Sequence, residues 1–258
     1  MGLFDDEPDE VDEDDIPVLD ASMLDNRIDF EKDMRWCPPV TIMVILACIT
    51  AFGFEVANNA LNDVRRLEDI GALSAPHVKQ GEVWRMLSAP FLHASPDHVI
   101  GNMVMLFILG IACEHAFGSP QLLFLYVVAA IGGSCLSLTN AKISVGASGA
   151  IFGLAGALLG MFRRNRASLH VRDHRIGFVI GVWAAYTILF GFLSPIVDNM
   201  AHLGGFLTGV ILGLGLPPAL LHDREEFNRR PSVLIMMSVA LMALFATSIW
   251  FIPRLLPK

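Results

Sequence analysis

Apolar and polar positions alternate in long blocks along the chain rather than with the short period of a strand or an amphipathic helix. Windows of about 17–25 mostly apolar residues, the length that spans a bilayer as a helix, recur seven times. They run from Val40 to Val56, His98 to Phe117, Leu122 to Thr139, Gly146 to Phe162, Ile176 to Leu193, Met200 to Leu216 and Val233 to Phe251. Turn residues separate them: Gly118-Ser119-Pro120, Ser194-Pro195 and Pro217-Pro218. The pattern predicts an all-α, polytopic membrane helical bundle. Only the connection over residues 58–97 is too long and too apolar for a simple loop. Its segment Trp84 to His93 mixes aromatic, aliphatic and single basic residues, as expected of chain lying in the bilayer interface.

Composition agrees, with 54% hydrophobic residues and a mean hydropathy of +0.56 in 258 residues. The net charge of −8 misleads, because residues 1–33 hold 14 Asp/Glu against Arg27 and Lys32. Such an acidic, aromatic-poor head cannot bury enough apolar surface to offset its ordering entropy, so residues 1–37 are expected to be a largely disordered tail. Beyond it come a helical core at 38–218, a linker at 219–231, and a seventh helix with a short tail at 232–258.

Short loops rich in Lys and Arg favour the cytoplasmic side. Five arginines follow the fourth span (Arg163, Arg164, Arg166, Arg172, Arg175), and Arg224, Arg229 and Arg230 follow the sixth. Both loops are therefore expected inside, with the N-terminus cytoplasmic and the C-terminus extracytoplasmic. By the same parity the first loop and the start of span four face outward. The absence of any Asn-x-Ser/Thr sequence is compatible with a bacterial inner membrane. Cys37, Cys48, Cys113 and Cys135 show no metal-ligand spacing and read as small buried hydrophobes. No cofactor is called for, and no basic run interleaved with aromatics points to nucleic acid.

Span four opens with Gly146-Ala147-Ser148-Gly149-Ala150, a single hydroxyl among residues too small to shield it. Gly149, Gly153, Gly156 and Gly160 then follow at helical spacing, and span six carries Ala201, Gly205, Gly209 and Gly213 every four residues. Two such smooth faces can approach backbone to backbone. Ser148 and His202 would then stand at one membrane level, where imidazole is suited to take the serine proton. His98 and Asn102, four residues apart on span two, share a helical face and could donate hydrogen bonds to an oxyanion. The plainer readings are packing for the glycine-flanked serine and interhelical hydrogen bonding for His202 and Asn102. His93 either joins the same pocket or holds the loop. Asp198 lies four residues before His202; a solvated interfacial carboxylate is favoured over a third triad member.

Together Gly146-x-Ser148-Gly149, Ala201-His202 with Gly205, His98-x-x-x-Asn102 and Trp84-Arg85 in a long first loop resemble the rhomboid intramembrane serine proteases. The resemblance covers about residues 40–218 and implies a six-helix core, with the seventh span matching the family's six-plus-one form. It implies Ser148 as nucleophile, His202 as base of a dyad, His98 and Asn102 on the oxyanion side, and a mainly structural role for Trp84 and Arg85. Phe152 stands where many members carry a tyrosine against the histidine; the ring is kept and the hydroxyl is missing. Span five and the turn from Ser194 to Asn199 would form a lateral gate and cap. The partners so implied are the lipid bilayer and single-span or multi-span membrane-protein substrates. Zinc and aspartyl intramembrane proteases are disfavoured by the lack of HExxH and of paired mid-membrane aspartates. A transporter would need charges at mid-membrane, whereas Glu55, Glu114 and Asp198 sit near span ends. A catalytically silent rhomboid-like binding factor remains the alternative, although it would be expected to have lost Ser148 or His202.

Overall fold

The computed structural model describes residues 27–61, 63–140, 143–172, 174–193 and 197–255. A two-residue strand β1 (Ile28–Asp29) precedes α1 (Pro39–Ala57). The first loop then folds into α2 (Val64–Ile70), α3 (Ala75–Lys79) and α4 (Arg85–Ser88), the last running into a 3-10 turn at Ala89–Phe91. Next come α5 (Pro96–Phe117), α6 (Ser119–Ser137), α7 (Ser148–Arg164), β2 (Leu169–His170), α8 (His174–Leu193) and α9 (Asn199–Gly215). A 3-10 turn (Ala219–Leu221), α10 (Arg224–Asn228) and α11 (Pro231–Leu255) complete it. The predicted apolar blocks become α1, α5, α6, α7, α8, α9 and α11. The fold is the polytopic helical rhomboid bundle, six core helices plus α11.

Five of these helices are long and apolar enough to cross a membrane, and α8 supplies a shorter apolar stretch, Phe178–Phe192. The exception, α7, has 17 residues and ends in Arg163-Arg164. At 1.5 Å per residue it is about 26 Å long, short of a hydrocarbon core of about 30 Å. Gly146, expected to open this span, lies outside the helix at φ 120°, a conformation suited to glycine, and its N–H donates to the Ala89 carbonyl at 3.0 Å.

The glycine faces meet as their spacing predicts. A Cβ on Gly205 would overlap the Gly149 carbonyl oxygen; Gly209 stands in the same relation to Gly153, and Gly213 to Ala157. From the other side, a Cβ on Gly160 would come within 2.6 Å of the Val210 carbonyl oxygen. Lipid tails are as apolar as leucine, so helices in a bilayer are held by such contact rather than by exclusion from water. Arg164 closes the far end, donating to the Leu214 and Gly215 carbonyls, both at 3.0 Å, which the end of α9 leaves without helical partners.

The first loop corrects one expectation. Trp84 and Arg85 are buried, and Leu92 and His93 fully so, inside the fold rather than along a bilayer interface. Burial is possible because the Arg85 guanidinium is satisfied: Nε donates to Glu82 at 2.6 Å, and Nη1 donates to the carbonyls of Glu68 and Ala72 at 2.5 and 2.9 Å. Cys48 and Cys113 are buried as expected, whereas Cys37 and Cys135 are exposed.

At the arginine-bearing end, buried Glu114 serves two helix starts. It accepts from the Val40 and Thr41 N–H groups at 3.0 and 2.9 Å and from the Ser119 hydroxyl at 2.6 Å. This carboxylate replaces the side-chain cap that Pro38 cannot provide. Most of the acidic tail, residues 1–26, lies outside the described residues, as do Ser194–Ile196 and Lys258. The tail's last stretch is seated: β1 pairs in parallel with β2, Phe30 is buried, and Asp29 pairs with Arg172. That guanidinium holds the Asp29 carboxyl below its usual range.

The helix contact makes an unequal forecast for two glycines. Gly209→Ala is expected to cost about 1–3 kcal/mol through overpacking. Gly181→Ala, whose Cβ would meet nothing within 4 Å, is expected to be neutral or up to about 1 kcal/mol stabilising. Denaturation of the detergent-purified protein measures both, and equal stabilities would contradict the close-contact account.

Candidate active site

Ser148 is the first residue of α7, and His202 lies within the first turn of α9. The register set by Gly205 over Gly149 brings the two tops level. The Ser148 hydroxyl and His202 Nε2 are 2.8 Å apart, with the serine half-buried and the histidine buried. In the Nδ1–H tautomer of a neutral imidazole, Oγ–H donates to Nε2. Phe152, one turn below the serine, stacks on the His202 ring at a centroid distance of 4.5 Å and an interplanar angle of 17°. Trp183 of α8 packs against Phe152 in turn, centroids 4.7 Å apart and rings tilted by 32°. The ring predicted against the histidine is thus present, and α8 reaches the site through Trp183, which the sequence had not singled out.

His98 and Asn102 of α5 stand on the opposite side of the serine turn. A Cβ on Gly146 would come within 2.7 Å of His98 Nε2 and 3.4 Å of Asn102 Nδ2, so the backbone just before Ser148 runs against both. Asn102 Nδ2 is buried and has no hydrogen-bond partner among the described residues. An unpaired buried donor costs about 1–3 kcal/mol, a cost repaid when an acceptor enters. The first N–H groups of α7 are further donors, because helix starts leave them without internal partners.

His93 abuts the His98 ring edge-on, centroids 5.2 Å apart, while its backbone N–H donates to the buried carboxylate of Glu55 at 2.7 Å. It holds the loop and abuts the pocket through His98. Glu55, at the end of α1, was legible only as a costly ionisable residue in an apolar run. Trp84 and Arg85 lie in the loop scaffold, the guanidinium 4.8 Å over the indole. Gly149 and Gly205 belong to the helix contact.

Asp198 corrects an expectation, for it is buried rather than solvated. Its carboxylate caps α9, accepting from Met200 and Ala201 N–H groups at 3.1 Å each, and is held by the Ser137 hydroxyl and by Asn140 at 3.4 Å. It makes no hydrogen bond to His202 Nδ1, which has no partner among the described residues. The described geometry is therefore a pair, not a triad.

Comparison with known proteins gives the same reading of the fold. The rhomboid domain model matches residues 80–219, which contain all of the pocket. The chain belongs to the rhomboid family. It is 42% identical over 153 residues to RHOMBOID-like protein 1 of Arabidopsis thaliana, covering 57% of this chain and 38% of that one. It is 36% identical over 185 residues to the rhomboid protease GluP of Bacillus subtilis, covering 70% and 36%. Rhomboid-like protease 3 of Toxoplasma gondii is 29% identical over 232 residues, covering 89% and 83%. The chain spans about half or less of the length of the Arabidopsis relatives numbered 1, 4 and 5. At family level, this is a multi-pass membrane protein of a rhomboid type that includes named proteases.

Because Asp198 caps a helix and does not touch the imidazole, its replacement by asparagine and by alanine should differ. Asp198→Asn keeps a capping oxygen and is expected to hold stability within a few tenths of a kcal/mol, whereas Asp198→Ala loses about 1 kcal/mol. Thermal unfolding of both variants checks this, and equal losses would contradict a capping role.

Proposed function

We propose that the protein is an intramembrane serine endopeptidase that cuts transmembrane helices of membrane-protein substrates near the extracytoplasmic face. The observation that carries this is the 2.8 Å Ser148–His202 contact, made between two helices whose glycines let their backbones touch. The arginine loops support an orientation with the N-terminus cytoplasmic and the Ser148 end outside.

A substrate helix enters sideways and unwinds locally, since peptide bonds in an intact helix are closed to attack. Ser148 Oγ attacks the exposed carbonyl carbon as its proton passes to His202 Nε2. The negative charge moves onto the former carbonyl oxygen, toward Asn102 Nδ2, His98 and the first N–H groups of α7. His202 returns the proton to the leaving amine. Water then enters from the outer face and its oxygen attacks the acyl carbon as it loses a proton to His202; the bond to Ser148 Oγ breaks and His202 returns the proton to that oxygen. Phe152 keeps the imidazole plane fixed by stacking through both protonation states. Access past α8 is supported by its exposed face, with Phe178, Tyr186 and Phe192 all largely uncovered.

Cleavage of a single-span substrate by the detergent-purified protein tests the proposal. Ser148→Ala and His202→Ala are each expected to lower the rate by at least about 10³-fold. Asn102→Ala is expected to lower kcat by about 10²–10³-fold, as removal of one oxyanion donor does. Cleavage that persists in Ser148→Ala would overturn the assignment, and a wild-type protein that binds substrate without cutting it would favour the silent binding factor.

A further inference from the structure

Apart from the Ser148 pocket, the described residues line a further space toward the other end of the bundle. It is an open cavity of about 630 Å³ between α5, α7 and α8, with the seated end of the acidic tail along one side. Its walls are apolar: Leu109 and Ala112 from α5, Ala155 and Leu158 from α7, Ile180 from α8, and Phe30 beside β1. Its rim is polar, formed by Arg27, Glu31, Arg166 and His170. The size is that of a small-molecule site, which ordinarily runs to about 300–1,000 Å³.

Both Glu31 carboxylate oxygens accept the Arg172 backbone N–H, at 3.0 and 3.1 Å, and Asp29 takes the Arg172 guanidinium. The Arg172 guanidinium is thereby committed to Asp29. Arg166 is exposed, lines the cavity, and makes no hydrogen bond or ion pair among the described residues. An apolar chamber capped by an uncommitted guanidinium matches an amphiphile with an anionic head. Basic pockets between transmembrane helices on the cytoplasmic side bind such headgroups. We infer that this cavity binds an anionic phospholipid of the arginine-side leaflet, an acyl chain lying among Leu109, Ala155, Leu158 and Ile180 and the phosphate at Arg166. The site is remote from the Ser148 end of α7 and stands whether or not the protein cuts peptide bonds.

Native mass spectrometry of the full chain, titrated separately with dioleoyl phosphatidylglycerol, dioleoyl phosphatidylcholine and inorganic phosphate, tests the inference. Phosphatidylglycerol is expected to bind at least about fivefold more tightly than phosphatidylcholine, the discrimination one basic residue gives near an anionic surface, and free phosphate is expected not to bind. Arg166→Gln removes that preference. Arg163→Gln, at the end of α7 and not lining the cavity, leaves it intact. Ala155→Phe, or Leu159→Trp at another lining position should the first variant fail to fold, fills the cavity and weakens both lipids, with lipid-free melting showing that the variant is folded. Equal retention of the two lipids, equal effects of the two arginine changes, or full binding in the filled variant would each overturn the site.

Discussion

The close approach of α7 and α9 is the constraint on which everything else rests. Inside a bilayer no water is released when helices meet, so their association depends on dispersion contact and backbone proximity. Glycine provides that proximity at Gly156, Gly160, Gly205 and Gly209, where a single added carbon would strike a carbonyl of the facing helix. The same contact sets the register. Ser148 stands one residue before Gly149 and His202 three before Gly205, so the pairing of the two glycines aligns hydroxyl and imidazole without any further device. Leaving the serine among small neighbours also keeps it uncovered.

A second layer fixes the other side of the pocket. The first loop wraps around buried Arg85, whose hydrogen bonds tie α4 to the carbonyls of Glu68 and Ala72. From there the chain passes Ala89, which accepts from Gly146, and His93, which is anchored on Glu55 of α1. It then enters α5 under a Ser95 cap that accepts from His98 N–H at 3.3 Å. Both partners of the serine turn, the backbone of Gly146 and the side chains of α5, are thus located by one scaffold. Donors positioned before reaction cost no reorganisation during it. The Asn102 amide nitrogen has no partner among the described residues, which leaves it free for the oxyanion role proposed above.

Much of this was legible in the chain because its decisive features are periodic. Apolar length gave the helices, and the four-residue recurrence of glycine gave the pair that touches. What periodicity does not carry is how a polar side chain in or beside an apolar block is satisfied. Asp198 was expected in solvent, although an aspartate directly before a helix beginning at Asn199 has the local signature of an N-cap. Trp84 to His93 was expected along the bilayer surface, because composition cannot show that Glu82, Glu68 and Ala72 converge on one guanidinium. Span length misled at Gly146, where positive φ keeps the helix from starting until Ser148. The pairing of Ile28 with Leu169 joins residues too far apart in sequence for any local pattern to reveal.

The central claim is that one serine is made reactive by one histidine through the geometry of two touching helices. It is tested most directly by treating the detergent-purified protein with a serine-directed fluorophosphonate and mapping the adduct by peptide mass spectrometry. The account predicts a single adduct on Ser148 that disappears in His202→Ala while the variant remains folded. An adduct on another residue, or labelling of Ser148 that is indifferent to the loss of His202, would contradict it.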